Sequence, residues 1–180
     1  KEIKEKVFKT KKRIPRSLIK DFERTLKSIC DKLNIKYKIT GSFRRKMQTC
    51  GDIDIIIYSK NSENISFDSI LGILPIVDKL MLGDIKFQGF IYLNEEFPDA
   101  RIDITIVKNL EDLPYSILHT TGNKNLNILM RKNALKKGWK LNDTRMLDEN
   151  GNKIIVRNEK EIFELLNMDY LSPRDRNIIN

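Results

Sequence analysis

Residues 41–57 read GSFRRKMQTCGDIDIII, and this stretch carries most of the structural and functional information in the sequence. Its second half alternates Asp52 and Asp54 with isoleucines. Because successive side chains of a strand point to opposite faces, the alternation predicts a strand with both carboxylates on one face and the isoleucines in the core. Taken alone, the pattern is weak support for a site, since alternating strands produce it by chance.

A third acid, Asp103, lies between Ile102 and Ile104 in a second apolar segment. An aspartate in such a segment needs a compensating charge, because burying an isolated carboxylate is costly. Three converging carboxylates form an oxygen-rich site suited to Mg²⁺, with Mn²⁺ as an alternative ion, and such a set can hold two ions for in-line phosphoryl transfer. The sequence therefore predicts a metal site at the sheet.

The first half of the stretch predicts a phosphate-binding segment. Gly41-Ser42 is followed by Arg44, Arg45 and Lys46, and Asp52 comes ten residues after Ser42. A glycine lets the backbone approach phosphate closely, while serine hydroxyls and arginines bind its oxygens. Either half alone is typical of a turn or of solvated arginines, but together they indicate a nucleoside triphosphate bound with its metals at the end of a sheet.

The remaining pattern predicts an α+β protein. A helix is predicted from Ile19 to Leu33, with Pro15 in its first turn. The predicted strands are 37–40, 53–58, 87–93 and 102–107, then 139–141, 145–147 and 154–156. The other predicted helices are 67–80 with an interruption at Pro75, 114–119, 125–137 and 159–166. We place a boundary near Leu110, between a sheet-based subdomain of residues 1–110 and a smaller basic subdomain of residues 111–180.

The charge of the chain indicates a polyanionic partner. The 180 residues include 34 Lys and Arg against 25 Asp and Glu, a formal net charge of +9. Nine of these cations lie in residues 1–20 and ten in residues 123–160, so two basic regions flank a less basic middle. A polyanion lying across the molecule is expected, although solubility alone can also explain such an excess.

Composition argues against several classes of protein. No run approaches the roughly 18 apolar residues of a membrane-spanning helix, and no signal peptide is recognisable, so we expect an intracellular protein with no membrane partner. Whether it acts in the nucleus, the cytoplasm or a virion stays open. Cys30 and Cys50 are too few for a disulfide framework or a structural zinc site. With His119 as the single histidine, neither a Ser-His-Asp triad nor a His-based metal site is expected.

On these motifs the sequence resembles the family X DNA polymerases, the group of DNA polymerase beta. GSFRRKMQTCGDIDIII is similar to the family's nucleotidyltransferase signature, and GSFRR is more particular to the family than the Gly-Ser of the wider superfamily. Other similar segments follow the family's order: KKRIPR at 11–16, RIDI at 101–104, HTTGNKNLNILMR at 119–131, ALKKGWKLN at 134–142 and SPRDRN at 172–177. The resemblance implies a nucleotidyltransferase palm, a twisted mixed sheet with helices on one side, and then a small α+β subdomain that binds nucleotide and template. Size and layout are most similar to the minimal viral members.

The resemblance also implies roles for individual residues. Asp52 and Asp54 would bind both Mg²⁺ ions, Asp103 would bind the catalytic ion and help to take the proton from the primer 3′-hydroxyl, and Arg101 would orient Asp103. Nucleotide contacts are implied for Arg13, Gly41, Ser42, Arg45, Gly51, His119, Thr120, Gly122 and Asn127. Arg131 would contact the template strand, and further DNA contacts are expected from Lys11, Lys12, Lys132, Lys136 and Lys140.

Two departures from the family pattern matter for function. His119-Thr120 replaces the usual Tyr-Phe that lies against the nucleotide sugar, so ribose exclusion is an open question, and His119 has a capping or hydrogen-bonding role as its alternative. Many members also carry an amino-terminal domain with a lyase lysine, whereas this sequence starts almost at the palm. No lyase activity is therefore expected, and the basic regions are expected to hold DNA.

We hypothesise a monomeric, template-directed DNA polymerase that fills short gaps in DNA repair, including base excision repair. It would use gapped or primer-template DNA and deoxynucleoside triphosphates, with a DNA ligase as its partner. The alternatives are a template-independent terminal transferase, a catalytically inactive DNA-binding module and a nucleotidyltransferase acting on RNA or a small molecule. Dependence on a template separates the first alternative, the joint presence of the acids and the phosphate-binding residues argues against the second, and GSFRR argues against the third.

Overall fold

A computed structural model of the chain describes residues 12–60 and 65–180, which divide into two compact units. The first unit comprises the described residues up to Ile39 together with Met47–Lys108. The second comprises Thr40–Lys46 and Asn109–Asn180. The short segment that contains GSFRR is therefore grouped with residues that lie more than sixty positions after it in the sequence.

The elements follow one another with short connections. The first half contains β1 (Ile14–Pro15), α1 (Arg16–Leu33), β2 (Lys36–Ile39), α2 (Gly41–Arg44), β3 (Thr49–Cys50), β4 (Ile53–Tyr58), α3 (Phe67–Leu71), β5 (Ile76–Leu82), β6 (Lys86–Ile91) and β7 (Ala100–Val107). After a 3₁₀ turn at Leu110–Asp112 come α4 (Leu113–Thr121), α5 (Lys124–Lys136), β8 (Lys140–Leu141), β9 (Met146–Leu147), α6 (Glu159–Leu165) and a 3₁₀ helix at Pro173–Ile178.

The first unit contains a mixed five-stranded sheet in the order β2-β4-β7-β6-β5. β4 and β7 are parallel and the other neighbours are antiparallel. One face of the central strands is buried, as the period of two predicts: Ile53, Ile55 and Ile57 on β4, and Ile102, Ile104 and Ile106 on β7. On the opposite face, Ile56 and Val107 are also buried. On α1 the buried residues recur at helical spacing from Ile19 to Cys30. The predicted α+β class is confirmed, and these predicted strands are confirmed to within two residues.

The second unit has its own apolar core, formed by α4, α5, α6 and the β8-β9 hairpin. Its buried residues are Tyr115, Leu118, Leu126, Met130, Ala134, Met146, Val156, Ile162, Phe163 and Leu166. The helices predicted at 114–119, 125–137 and 159–166 are confirmed within two residues, with Gly122 and Gly138 at positive φ just beyond α4 and α5. In the ranges that the structure covers, no helix combines the length and apolar character needed to cross a membrane.

The helix predicted at 67–80 is wrong in its second half. The helix ends at Leu71, and residues Ile76–Leu82 form the edge strand β5, paired antiparallel with β6. Pro75 disfavours a helical conformation at the preceding residue and cannot donate a backbone hydrogen bond. Residues 76–82 then form backbone hydrogen bonds with β6. This pairing makes them a strand, although their local sequence pattern predicts a helix.

Two smaller predictions are also wrong. Residues 154–156 are not a strand, because pairing with β9 stops at an isolated bridge between Lys153 and Leu147. The carbonyl of Ile154 accepts a hydrogen bond from the Tyr115 hydroxyl at 2.6 Å. Pro15 lies one residue before the first turn of α1, in an extended conformation at the N-cap, because it is still part of β1.

Candidate active site

Three aspartates converge on one face of the five-stranded sheet. Asp54 on β4 and Asp103 on β7 are register partners in the parallel strand pair, and Asp52 directly precedes β4. Carboxylate oxygens of the three residues lie within 4.8 Å of one another, and each residue is half-buried. Across residues 12–60 and 65–180, no other group of three His, Cys, Asp or Glu residues is placed to hold a metal ion.

The electrostatics of this cluster favour a bound cation. Burial raises the pKa of Asp103, the charge and hydrogen bonds of Arg101 oppose that rise, and the Asp52 charge adds to it, leaving the pKa of Asp103 above its ordinary value. The ionised carboxylates therefore repel one another in a partly desolvated position. A divalent cation would offset this repulsion, and carboxylate oxygens are the ligands that Mg²⁺ and Mn²⁺ prefer. The donor set therefore fits the predicted ions.

Arg101 lies beside the cluster on β7. Its Nε and Nη2 donate hydrogen bonds to Asp103 Oδ1 at 3.2 and 3.1 Å. Both contacts end on one carboxylate oxygen, so Arg101 restricts the rotation of the Asp103 side chain. The geometry agrees with the orienting role that the family resemblance implies, and that role stays a prediction.

Arg13 and Gly51 lie close together in the same unit. The guanidinium of Arg13 donates from Nε to Thr49 Oγ1 at 2.9 Å and from Nη2 to the Thr49 carbonyl at 2.8 Å. A Cβ placed on Gly51 would lie 3.6 Å from Arg13 Nη1, an ordinary van der Waals distance. Arg13 and Gly51 are both exposed, so a ligand can reach both residues.

In the second unit, the two arginines of GSFRR have different environments. Arg44 donates to both carboxylate oxygens of Glu159, at 3.0 and 2.6 Å, and to Thr121 Oγ1 at 2.9 Å. Arg45 instead donates from Nη1 to the Thr121 carbonyl at 2.6 Å and from Nε to Asn177 Oδ1 at 2.7 Å. Arg44 is thus held in an ion pair with a nearly buried acid.

Three other predicted nucleotide-binding residues lie near Arg45 in the sequence or in the structure: Gly41, Ser42 and Gly122. Gly41 is buried with φ +59°, a conformation that favours glycine, and it begins the single turn of α2, in which Ser42 is half-buried. Gly122 also has positive φ, and a Cβ there would come within 3.1 Å of Arg45 Nη1. The glycine at 122 therefore leaves room for the Arg45 guanidinium.

Sequence reasoning missed the residues that hold this segment. Glu159 accepts from Arg44 and also from Arg176 Nη1 at 2.6 Å, and the Arg176 side chain is fully buried. Burial raises the pKa of Glu159, but the hydrogen bonds and charges of Arg44 and Arg176 outweigh burial and lower the pKa overall. SPRDRN was the only sequence signal for Arg176 and Asn177, and it carries no periodic pattern from which a role could be inferred.

His119, Asn127 and Arg131 form a connected group on α4 and α5. Arg131 Nη2 lies 3.3 Å from His119 Nδ1, and Asn127 Nδ2 donates to the His119 carbonyl at 2.9 Å. Thr120 donates from its hydroxyl to the Ser116 carbonyl at 2.7 Å, one turn earlier in α4. His119 therefore does hydrogen-bond, as its structural alternative requires, and its half-buried position still leaves a nucleotide contact open.

The predicted DNA-binding lysines are exposed where the structure describes them. Lys12 contacts Glu96 at 3.9 Å and lies over the ring of Phe97, while Lys132, Lys136 and Lys140 are exposed. Lys11 lies outside the described residues. Because α5 ends at Lys136 and Lys140 belongs to β8, these last three lysines do not lie on one helix.

Two family models match the chain in sequence order. The model of the DNA polymerase beta palm matches residues 13–109. The model of the DNA polymerase beta thumb matches residues 116–177. The palm match includes the three aspartates, Arg13 and the GSFRR segment, whereas the thumb match includes His119, Asn127 and the carboxyl-terminal SPRDRN.

Curated relatives give the same result. The chain is 25% identical to DNA polymerase lambda of Arabidopsis thaliana over 202 residues, which cover 93% of this chain and 37% of that protein. It is 29% identical to DNA polymerase lambda of Rattus norvegicus over 164 residues (76% and 28%), and 27% identical to DNA polymerase/3′-5′ exonuclease PolX of Bacillus subtilis over 143 residues (79% and 24%). The chain thus spans between about a quarter and two fifths of the length of these relatives. The expected similarity to small viral members stays a prediction.

Proposed function

The chain belongs to family X of the DNA polymerases, the family of DNA polymerase beta, and from this premise we propose that it is a DNA-directed DNA polymerase that fills short gaps during repair. The observation that carries the proposal is the convergence of three carboxylates within 4.8 Å: Asp54 and Asp103 lie on two parallel strands of the palm, and Asp52 directly precedes the first of them. Such a cluster suits phosphoryl transfer, where charge stabilisation and positioning supply most of the catalysis.

In the proposed reaction, the primer 3′-hydroxyl oxygen attacks the α-phosphorus of a deoxynucleoside triphosphate, and the bond to pyrophosphate breaks. Asp52, Asp54 and Asp103 would hold two Mg²⁺ ions, or Mn²⁺. When bound, these ions stabilise the attacking and leaving oxygens. Asp103 would help to take the proton from the primer 3′-hydroxyl while it binds the catalytic ion. Arg101 fixes the carboxylate in one orientation.

The basic residues of the proposed nucleotide site act on the triphosphate. Ser42, Arg13 and Arg45 would bind the β and γ phosphates and offset the charge that develops on the pyrophosphate. Asn127 and Arg131 would contact the base pair, with the backbone near His119 and Thr120 against the sugar. The product of filling a gap is a nick, so a DNA ligase is the expected partner. We further propose that the polymerase is a monomer and acts inside the cell.

Primer extension on a one-nucleotide gap tests the proposal. We expect Mg²⁺-dependent addition of one deoxynucleotide, abolished by a chelator, and the matching ribonucleotide tests whether His119-Thr120 still excludes ribose. Equal addition to a single-stranded primer would favour the template-independent transferase. Bound DNA without any addition would instead favour the inactive DNA-binding module.

DNA binding by the basic surfaces is expected to depend strongly on salt. Affinity for gapped duplex should fall by about 10³-fold or more between roughly 50 and 200 mM salt if six or more phosphates are contacted. Replacing one exposed contact, Lys136→Ala, should reduce the slope of log affinity against log salt by about one. Lys27→Ala is the control, because Lys27 is paired with Asp31 at 2.9 Å on α1 and should leave the slope unchanged. A flat salt response would contradict a phosphate-driven interface.

A further inference from the structure

Asn177 contacts both the side chain and the backbone of Arg45. Its Oδ1 accepts from Arg45 Nε at 2.7 Å, and its Nδ2 donates to the Arg45 carbonyl at 2.8 Å. Nδ2 also donates to the Arg174 carbonyl at 3.0 Å. These partners decide the orientation of the amide, because the flipped amide would place its NH₂ against the donor Nε.

A third contact completes the fixation of the Arg45 guanidinium. Arg45 Nη1 donates to the Thr121 carbonyl at 2.6 Å, so two different nitrogens of one planar group are bonded to two different segments. A long arginine side chain otherwise loses rotamer entropy when a ligand immobilises it. Contacts that fix the side chain beforehand reduce this cost on binding.

The residue next to Asn177 anchors it to the second unit. Arg176 is fully buried, donates from Nε to the Leu171 carbonyl at 3.0 Å, and pairs with Glu159 at 2.6 Å. Asn177 is therefore carried on a 3₁₀ helix whose neighbouring residue is fixed in the core. Such a support is suited to hold a partner in one position.

The contacts of the two neighbouring arginines differ in charge. Glu159 offsets the charge of Arg44 with a carboxylate. The Asn177 amide and the Thr121 carbonyl are neutral, so these two bonds fix the orientation of the Arg45 guanidinium through neutral acceptors.

We propose that Asn177 is a positioning residue that orients Arg45 toward the triphosphate of the incoming nucleotide. The inference rests on the function proposed above, in which Arg45 binds the β and γ phosphates. It assigns a role in nucleotide binding to the carboxyl-terminal segment, 132 residues from Arg45 in the sequence.

Titration calorimetry with Mg²⁺·dATP in the absence of DNA tests the proposal without requiring polymerase activity. Asn177→Ala should weaken binding about tenfold, while binding of dAMP, which lacks the β and γ phosphates, should be unchanged. Ser172→Ala is the matched control, because Ser172 lies in the same segment and its hydroxyl bonds Asp175 and not Arg45. A general loss of structure in Asn177→Ala would lower its melting temperature relative to Ser172→Ala. It would also weaken the binding of dAMP, which the positioning role leaves unchanged.

A double-mutant cycle distinguishes positioning from a separate contribution. In an Arg45→Ala background, adding Asn177→Ala should cause no further loss of dATP affinity, because the residue acts through Arg45. An equal tenfold loss in both backgrounds, or unchanged affinity in Asn177→Ala alone, would overturn the positioning role and leave the proposed polymerase function intact. If the unaltered chain does not bind dATP, the positioning role fails, and the gap-filling assay decides the proposed function separately.

Discussion

With Asp103 replaced by asparagine, single-nucleotide incorporation is expected to fall at least about a thousandfold. The substitution keeps the shape of the side chain and removes one of three converging carboxylates. Metal ligation supplies several kcal/mol of transition-state stabilisation, and a loss of about 4 kcal/mol corresponds to a factor of roughly a thousand. Single-turnover incorporation into a one-nucleotide gap, with saturating Mg²⁺ and dNTP, measures the effect.

The same variant should not be less stable than the unaltered chain. Burial and the charge of Asp52 raise the pKa of Asp103, so the ionised carboxylate is disfavoured in the folded protein without metal. Asp103→Asn should therefore melt at an equal or higher temperature in a chelator. Mg²⁺ should raise the melting temperature of the unaltered chain more than that of the variant.

Asp84→Asn is the matched control for this experiment. Asp84 is exposed between β5 and β6 and lies outside the cluster, so incorporation should be unchanged. Retention of more than a tenth of the activity by Asp103→Asn would contradict a catalytic role for the third carboxylate. Loss of both activity and folding would instead point to a structural role.

The largest expected effect on stability comes from Glu159. Glu159→Gln should lower the free energy of unfolding by about 3–5 kcal/mol, because it removes the carboxylate that pairs with both Arg44 and the fully buried Arg176. Among the buried side-chain nitrogens and oxygens of the described ranges, Arg176 Nη2 is the one without a hydrogen-bond partner. The site therefore has no spare acceptor for a second nitrogen of Arg176 that loses its partner. Urea unfolding of both proteins measures the difference.

The effect of Glu159→Gln should depend on pH. Because the pKa of Glu159 is lower in the folded protein than its ordinary value of 4.5, the ionised carboxylate stabilises the fold above that value. This stabilisation is lost as pH falls through the lower folded pKa. The difference in the free energy of unfolding between the two proteins should therefore be largest at pH 6–7 and become smaller below about pH 4. Glu164→Gln is the control, because Glu164 is exposed on α6, and a pH-independent difference would contradict the ion-pair account.

Part of the site follows directly from local sequence pattern. The alternation around Asp52 and Asp54 requires their carboxylates to share one face of a strand, and Asp103 alternates in the same way. The pairing of β4 with β7 then places Asp54 opposite Asp103, so the two local patterns together with this one strand pairing bring the acids together. The face on which each acid lies could thus be predicted from the sequence, whereas the β4-β7 pairing could not.

The remainder depends on contacts between distant residues, which a local pattern does not contain. Arg44 and Arg45 are adjacent and chemically identical in the sequence, yet Glu159 pairs with one and Asn177 orients the other. These partners are 115 and 132 residues away. Strand β5 was missed for the same reason, since pairing with β6, and not the composition of residues 76–82, determines its conformation.

Template-directed choice of nucleotide is the most direct test of the proposed function. Four duplexes with a one-nucleotide gap, identical except for the template base, should each be offered the four deoxynucleotides separately with Mg²⁺. We predict that the nucleotide incorporated fastest changes with the template base and is its complement in every duplex. The same preferred nucleotide in all four duplexes, or equal addition of all four, would contradict a DNA-directed polymerase.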